Sequence, residues 1–169
     1  MALPILTTMR RSLWSAVDAW EPFDGLFREK VRAEAKGTVL AADYTPKVAN
    51  LPALLMQPSA LPPTGWRTNQ EQEIQYPIDV TVWTHHRSVL DGEWIWEQFN
   101  RCLWQSTAPG GSRSYLFDRD HGALDNHSTS LPGAIFVGPD MTRWDWGVVL
   151  IRAWTPETET AEIDKAEAI

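Results

Sequence analysis

A long alternating stretch at residues 73–85, followed at once by an amphipathic helical pattern at residues 88–105, constrains the fold more than any other feature. In the first stretch apolar and polar side chains alternate, which is typical of a strand in a sheet with one buried face. The alternating apolar residues are Ile74, Tyr76, Ile78, Val80 and Val82. A helix that follows a strand directly must pack back onto the sheet, so the pair predicts an α+β domain.

The helix itself has both a start signal and a buried face. Ser88, with Asp91 three residues later, is typical of a helix N-terminus, and Ile95, Phe99, Cys102 and Leu103 share one face. Cys102 is the only cysteine, which excludes an intrachain disulfide. Its place on the apolar face predicts a small buried thiol in a protein that folds in a reducing compartment.

Further elements follow from the same patterns. Apolar spacing after Pro4 predicts an N-terminal helix over residues 4–20, and Asp24 and Gly37 delimit a predicted second helix over residues 25–36. The apolar run at residues 51–57 predicts a strand that is buried on both sides. Residues 134–137 and 143–154 predict a hairpin with a turn at residues 138–140, and the second strand, apolar on both faces, is expected to be central.

The remaining segments are less regular. Residues 114–117 predict a short strand, whereas residues 118–132 are polar and turn-rich. Pro77 cannot donate a backbone hydrogen bond, so its part of the long strand is expected at an edge or beside a bulge. These elements together predict an antiparallel sheet of about four strands with helices mainly on one face.

The segment at residues 58–69 is rich in proline but also carries apolar side chains. It is read either as an arm that contacts another molecule or as a loop folded back on its own domain. Ten tryptophans are difficult to bury in one small core with every indole N–H bonded, and tryptophan is enriched at subunit contacts. Trp66, on this loop, and Trp83, on the strand face opposite the apolar one, are therefore predicted interface residues.

Size and charge limit the class of protein. With 169 residues and 43% hydrophobic content, the chain suits one domain over residues 1–155, followed by a tail at residues 156–169 that is acidic and expected to be flexible. The formal net charge of −7 argues against a protein that binds nucleic acid by neutralising phosphates. Neither a secretory signal nor a membrane span is expected from the N-terminal pattern.

Candidate catalytic residues are few. His85 and His86 are neighbours on a strand and point to opposite faces, which disfavours a shared metal ion. The loop from Asp118 to His127 contains the residue types of a metal or hydrolase site, but its spacing matches no zinc or calcium motif. With no nucleophile motif or phosphate-binding loop either, the sequence predicts that the protein is not an enzyme and has no cofactor or metal.

The order of these elements resembles the tail-terminator and head-to-tail joining proteins of long-tailed bacteriophages. The resemblance rests on an N-terminal helix, the proline-ended strand LPALLMQPS, a long connector, the strand EIQYPIDVTVWTHH, an immediate helix and a closing hairpin. It covers residues 3–154 and contains no signature motif. The heavy tryptophan content and the longer helical part at residues 21–37 depart from the family pattern.

The resemblance implies a structural virion protein, assembled in the host bacterial cytoplasm, that caps the tail tube as a homohexameric ring. Such a ring ends tube polymerisation and provides a surface for the head connector or stopper protein, while DNA passes without specific binding. It implies contacts with further copies of the chain and with the tail tube protein, and none with a membrane. A ring of this kind needs two complementary patches per subunit, and Leu61, Pro62, Trp66 and Arg67 are expected to contribute to one.

The sequence is also compatible with two other functions. The chain could serve as another head-tail connector, such as a stopper or adaptor that binds the portal side first. It could also be a small metal-dependent hydrolase that uses the loop from Asp118 to His127.

Overall fold

The computed structural model describes residues 5–32, 44–59, 64–67, 72–85, 89–104, 126–137 and 139–154. This part of the chain has an α+β architecture with two α-helices, α1 (Ile5–Ala19) and α2 (Val89–Trp104). Its strands are β1 (Glu29–Arg32), β2 (Ala53–Pro58), β3 (Thr64–Arg67), β4 (Gln72–His85), β5 (Asn126–Thr129), β6 (Gly133–Val137) and β7 (Met141–Trp154). Short 3-10 turns occupy Glu21–Phe23 and Val48–Asn50.

The centre of the sheet is the antiparallel pair β4 and β7. Each strand has 14 residues, and they pair without interruption from Gln72 opposite Trp154 to His85 opposite Met141. The other side of β4 pairs with β2 and β3, and the other side of β7 pairs with β5 and β6. The prediction that the second hairpin strand is central is therefore confirmed.

The sheet is mixed and not purely antiparallel, which corrects the predicted arrangement. Strand β1 pairs in parallel with β2, in a register that places Val31 opposite Leu55. In the described residues the main path runs β1-β2-β4-β7-β5, with β3 beside β4 and β6 beside β7. The coarser prediction, an α+β fold built on one sheet, holds.

Both helices pack on one face of this sheet. Ile78 lies opposite Val148 and Val80 opposite Trp146, and all four side chains belong to the larger buried cluster together with residues of α1 and α2. The Phe99 ring of α2 meets the Trp146 ring edge-on, with 5.6 Å between ring centroids. Residues 76–78 and residues 148–150 are therefore neighbours in one antiparallel layer beneath the helix that carries Phe99.

Helix α1 joins the same core. Its buried side chains include Met9, Arg10, Leu13, Trp14, Ala16 and Val17. Full burial of an apolar side chain of this size contributes about 1.5–3 kcal/mol, so the apolar stripe outweighs local propensity in holding the helix. The backbone carbonyl of Ala16 also accepts a hydrogen bond from the Cys102 thiol of α2, at 3.3 Å.

The predicted helix over residues 25–36 is wrong where the structure describes it. Gly25 has a positive φ of 69°, which ends the preceding turn, and residues 29–32 form β1. The amide of Arg28 donates to the carbonyl of Pro52, which leads the chain into register beside β2. Tertiary pairing and the burial of Val31 therefore override the helical pattern of this charged segment. Residues 33–36 lie outside the described residues.

Two segments that were expected to be irregular contain strands. Residues 64–67, within the proline-rich loop, form β3, and residues 126–129, within the polar segment, form β5. The apolar run at residues 51–57 is confirmed as a strand buried on both faces, since Leu54 and Met56 face the larger core while Ala53 and Leu55 face a smaller one. The expected strand at residues 114–117 and the tail at residues 156–169 lie outside the described residues.

Candidate functional site

Residues 64–67 of the predicted contact segment form an edge of the sheet, as far as the structure describes it. Thr64 pairs with Gln75 and Arg67 with Gln72, so β3 runs antiparallel along the first part of β4. Within the described ranges, β3 pairs with β4 alone. Trp66 and Arg67 thus lie on an edge strand, while the other two predicted contact residues, Leu61 and Pro62, lie outside the described residues.

Near Pro77 the strand that pairs with one side of β4 changes from β2 to β3. Strand β2 ends with Pro58 opposite Ile78, and β3 begins with Thr64 opposite Gln75. The carbonyl of Pro77 accepts a hydrogen bond from the Ser59 amide at 3.2 Å, so this residue faces the interval between the two strands. The expected edge or bulge is not found, because this half of β4 pairs with β3 on one side and without interruption with β7 on the other. The missing N–H of Pro77 instead falls where β2 has ended and β3 has not begun.

The face of the sheet opposite the helices contains a second, smaller core around Trp83. Trp83 is 1% exposed and packs with Val31, Leu51, Ala53, Leu55 and Met141, and with the half-buried Tyr44 and Val137. Tyr44 meets the Trp83 ring edge-on at 5.8 Å between centroids. Trp83 is therefore covered by its own chain, and any subunit contact here would be made by the residues above it.

Tyr44 is held over Trp83 near a carboxylate. Its hydroxyl lies 3.5 Å from Oε1 of Glu29 on β1 and donates to it. Burial raises the pKa of the Tyr44 phenol above its ordinary value, and the charge of Glu29 and the hydrogen bond to it add to that rise. Tyr44 is thus a neutral donor at neutral pH that joins the segment before β2 to β1.

A polar cluster lies beside Trp83 on the same face. Nε of Arg143 donates to both carboxylate oxygens of Asp145, at 2.9 and 3.1 Å, and Thr81 donates to Oδ1 of Asp145 at 3.0 Å. The guanidinium carbon of Arg143 lies 5.9 Å from the centre of a Trp83 ring, within range of a cation–π contact. The cluster has the character of a structured polar surface, and sequence reasoning missed it because its residues are distributed over two strands.

Another surface that the sequence did not reveal lies at β6. Leu131 is 78% exposed and Ile135 is 55% exposed, and Ala134 is exposed as well. Three hydrogen bonds fix the residue before Leu131: the Ser130 amide donates to the Gly147 carbonyl, the Gly147 amide donates to the Ser130 hydroxyl, and Trp96 Nε1 donates to the Ser130 carbonyl. These apolar side chains are therefore presented to solvent by a well-anchored backbone.

The tryptophans divide between core and surface. Among the described side chains, Trp14, Trp20, Trp83, Trp144 and Trp146 are buried, whereas Trp94 on α2 is 41% exposed. The indole N–H groups of Trp20 and Trp144 donate to Gln98 and Thr84, at 3.2 and 3.0 Å. The two cores thus hold five of the described indoles, and Trp94 is left as an aromatic group on the surface.

The predicted chemical sites are only partly covered by the structure. His85 Nε2 lies 3.2 Å from the carbonyl of Leu51, while His86 lies outside the described residues. Of the loop from Asp118 to His127, the structure places only Asn126 and His127, as the first residues of β5. Within the described ranges, no three His, Cys, Asp or Glu side chains are grouped to hold a metal ion, and no helix there is long and apolar enough to cross a membrane.

In the part of the chain that the structure describes, the fold and these surfaces define an α+β protein with a mixed sheet, two strands, β3 and β6, that pair on one side only, and an anchored apolar patch. Comparison of the chain with protein-family models finds no match, and comparison with curated proteins finds none either.

Proposed function

We propose that the chain is a structural subunit that caps the tail tube of a long-tailed bacteriophage as a ring. The sequence resemblance to tail-terminator and head-to-tail joining proteins suggests this class, and the α+β fold is compatible with it. The ring would end tube polymerisation and offer its outer side to the head connector or stopper protein.

The observation that carries the proposal is the position of β3. The sequence pattern indicates Trp66 as a contact residue, and the resemblance implies that Arg67 contributes to the same contact. Both lie on a strand that is paired on one side only, within the described ranges. An edge strand presents unpaired N–H and C=O groups from which a neighbouring subunit can be bound. The edge therefore supports a role in assembly.

A ring requires a second and different patch on each subunit, because head-to-tail contacts join unlike surfaces. Trp94 on the outer side of α2 is a suitable candidate, since an exposed tryptophan is typical of interface anchors. The net charge of −7 would also allow packaged DNA to pass through the ring without tight binding, since tight binding requires neutralisation of phosphates.

Ring formation is tested with the purified chain by light scattering and negative-stain electron microscopy over a range of concentrations. Hexameric rings are expected, and addition of the protein to polymerising tail tube protein should shorten the tubes. Arg67→Glu and Trp66→Ala should weaken ring formation at least ten-fold, whereas Lys47→Ala, at an exposed residue of another segment, should not.

A protein that stays monomeric at high concentration and leaves tube length unchanged would contradict the proposal. Parallel binding experiments with tube protein and with portal protein separate a tail terminator from a stopper or adaptor. Preference for the portal protein would move the assignment to the connector class.

A further inference from the structure

Strand β6 is an edge that lacks the features by which proteins protect edge strands. Its sequence, GAIFV, contains no charge and no proline, and among the described residues it pairs only with β7. Ile135 in its centre is 55% exposed. Natural edge strands are usually protected from pairing by charged side chains, proline or bulges, so an open apolar edge favours addition of another strand.

The backbone of this edge is already held in the extended form that pairing requires. Five register pairs join β6 to β7, and the hydrogen bonds around Ser130 fix the chain where it enters the strand. Little backbone entropy would therefore be lost when a further strand binds, which lowers the cost of association.

The side chains of β1 and of β6, the two strands that could be added, indicate which of them fits the edge of β6. Strand β1, at the other end of the sheet, has the sequence EKVR, so it would place charged residues opposite the apolar side chains of β6. A second β6 would instead place apolar side chains opposite apolar ones, with no charge to desolvate. An antiparallel pair of identical strands also follows directly from a twofold axis.

We propose that β6 pairs with β6 of a second copy of this chain, antiparallel and centred on Ile135, to form a symmetric dimer with one continuous sheet. A twofold axis perpendicular to the sheet keeps corresponding faces on the same side, so the two Ile135 side chains lie opposite each other and cover one another. Such an isologous contact closes with two copies. It is therefore a different contact from that of a head-to-tail ring, and it extends beyond the proposed function.

Disulfide trapping of Ile135→Cys tests the proposal. Side chains directly opposite in an antiparallel pair have β-carbons about 4.5–5.5 Å apart, close to what a disulfide spans after a small adjustment. The native Cys102 is buried, which leaves the introduced thiol as the reactive one. Mild oxidation should give a covalent dimer of Ile135→Cys, whereas Val48→Cys, at another exposed apolar residue, should remain monomeric on a non-reducing gel.

The association itself is measured by light scattering of the uncrosslinked protein in the Arg67→Glu background, in which the proposed ring contact is weakened and β6 is unchanged. Ile135→Asp should raise the dimer dissociation constant at least ten-fold, and Val48→Asp should leave it unchanged. Both residues are exposed in the single chain, so neither change is expected to unfold it. The ring experiments above use different residues, so a failure of the dimer is distinguishable from a failure of the ring.

Three results would overturn the proposal. One is the absence of a dimer in the Arg67→Glu protein together with the absence of a crosslink in the Ile135→Cys protein. Another is preferential crosslinking of Ile135→Cys to a Lys30→Cys protein, which would identify β1 as the bound strand. The third is strong amide-exchange protection on the outer edge of β6 in the Ile135→Asp monomer, which would show that the chain covers this edge itself.

Discussion

The indole of Trp144 on β7 occupies the space that a β-carbon on Gly92 of α2 would need. Helix α2 therefore approaches the sheet closely because residue 92 has no side chain. The indole is also held by a hydrogen bond, since Trp144 donates its N–H to the Thr84 hydroxyl at 3.0 Å.

Gly92→Ala should destabilise the protein although alanine favours helices. The higher helix propensity of alanine stabilises the fold by about 1 kcal/mol, but overpacking against a buried indole costs about 1–3 kcal/mol and displaces α2 or Trp144. The midpoint of urea unfolding should therefore fall. Glu93→Ala, at the exposed neighbouring residue, is the control and should change the midpoint little; an equal or higher midpoint for Gly92→Ala would contradict the close approach of the helix.

Thr84→Val should lower stability by about 1–3 kcal/mol, because it leaves the buried N–H of Trp144 without its acceptor at nearly constant volume. Combining it with Trp144→Phe, which removes the donor, should recover part of that loss in a double-mutant cycle. Additive effects of the two substitutions on the free energy of unfolding would show that this hydrogen bond contributes nothing.

Tyr76→Phe should cost about 1.5–3 kcal/mol, the range for hydrogen bonds to charged groups. Arg10 is only 8% exposed, and its Nη1 donates to the Tyr76 hydroxyl at 2.7 Å. The effect should be smaller in an Arg10→Met background, where there is no guanidinium to satisfy. Chemical unfolding of the four proteins of this cycle measures the coupling, and equal costs in both backgrounds would rule the interaction out.

Stability should fall above pH 9 because of Cys102. Burial raises the pKa of its thiol from 9.0 to about 12 in the folded chain, so between these pH values the unfolded chain loses the proton while the folded chain keeps it. The contribution is fully present below pH 9 and falls by up to about 1.4 kcal/mol per pH unit above it.

The difference in free energy of unfolding between the wild-type chain and Cys102→Ala isolates this effect from other titrating groups. The difference should be constant below pH 8 and should shrink as the pH rises towards 11. A constant difference throughout, or rapid reaction of the native thiol with a thiol reagent at pH 7, would contradict the burial of Cys102.

The sequence was sufficient to predict an element where its local pattern agrees with its place in the tertiary structure. Strand β4, helix α2 and the final hairpin have strong periodicity and clear ends, and Phe99 lies on the face that the pattern selected. Strand β1 was missed because its charged residues favour a helix locally, while its pairing partner, β2, lies more than twenty residues later in the chain. Strand β3 was missed because the prolines around it obscure a four-residue strand.

The candidate surfaces were less predictable for a related reason. Alternation placed Trp83 correctly on the face opposite the helices, but only the three-dimensional fold brings Tyr44, Val31 and Met141 over it. The exposure of Ile135 depends on β6 being the outer strand of its hairpin, a relation between strands that no local pattern contains.

The uninterrupted pairing of β4 with β7 also bears on how the chain folds. These strands are the two longest of the described fold, and even their nearest pair, His85 with Met141, joins positions far apart in the sequence. Much of the native contact network therefore forms only after a long loop has closed, which predicts slow folding for a domain of this size. Until β7 arrives, one side of β4 is an open apolar template, so the newly made chain is most prone to aggregation before β7 has been synthesised.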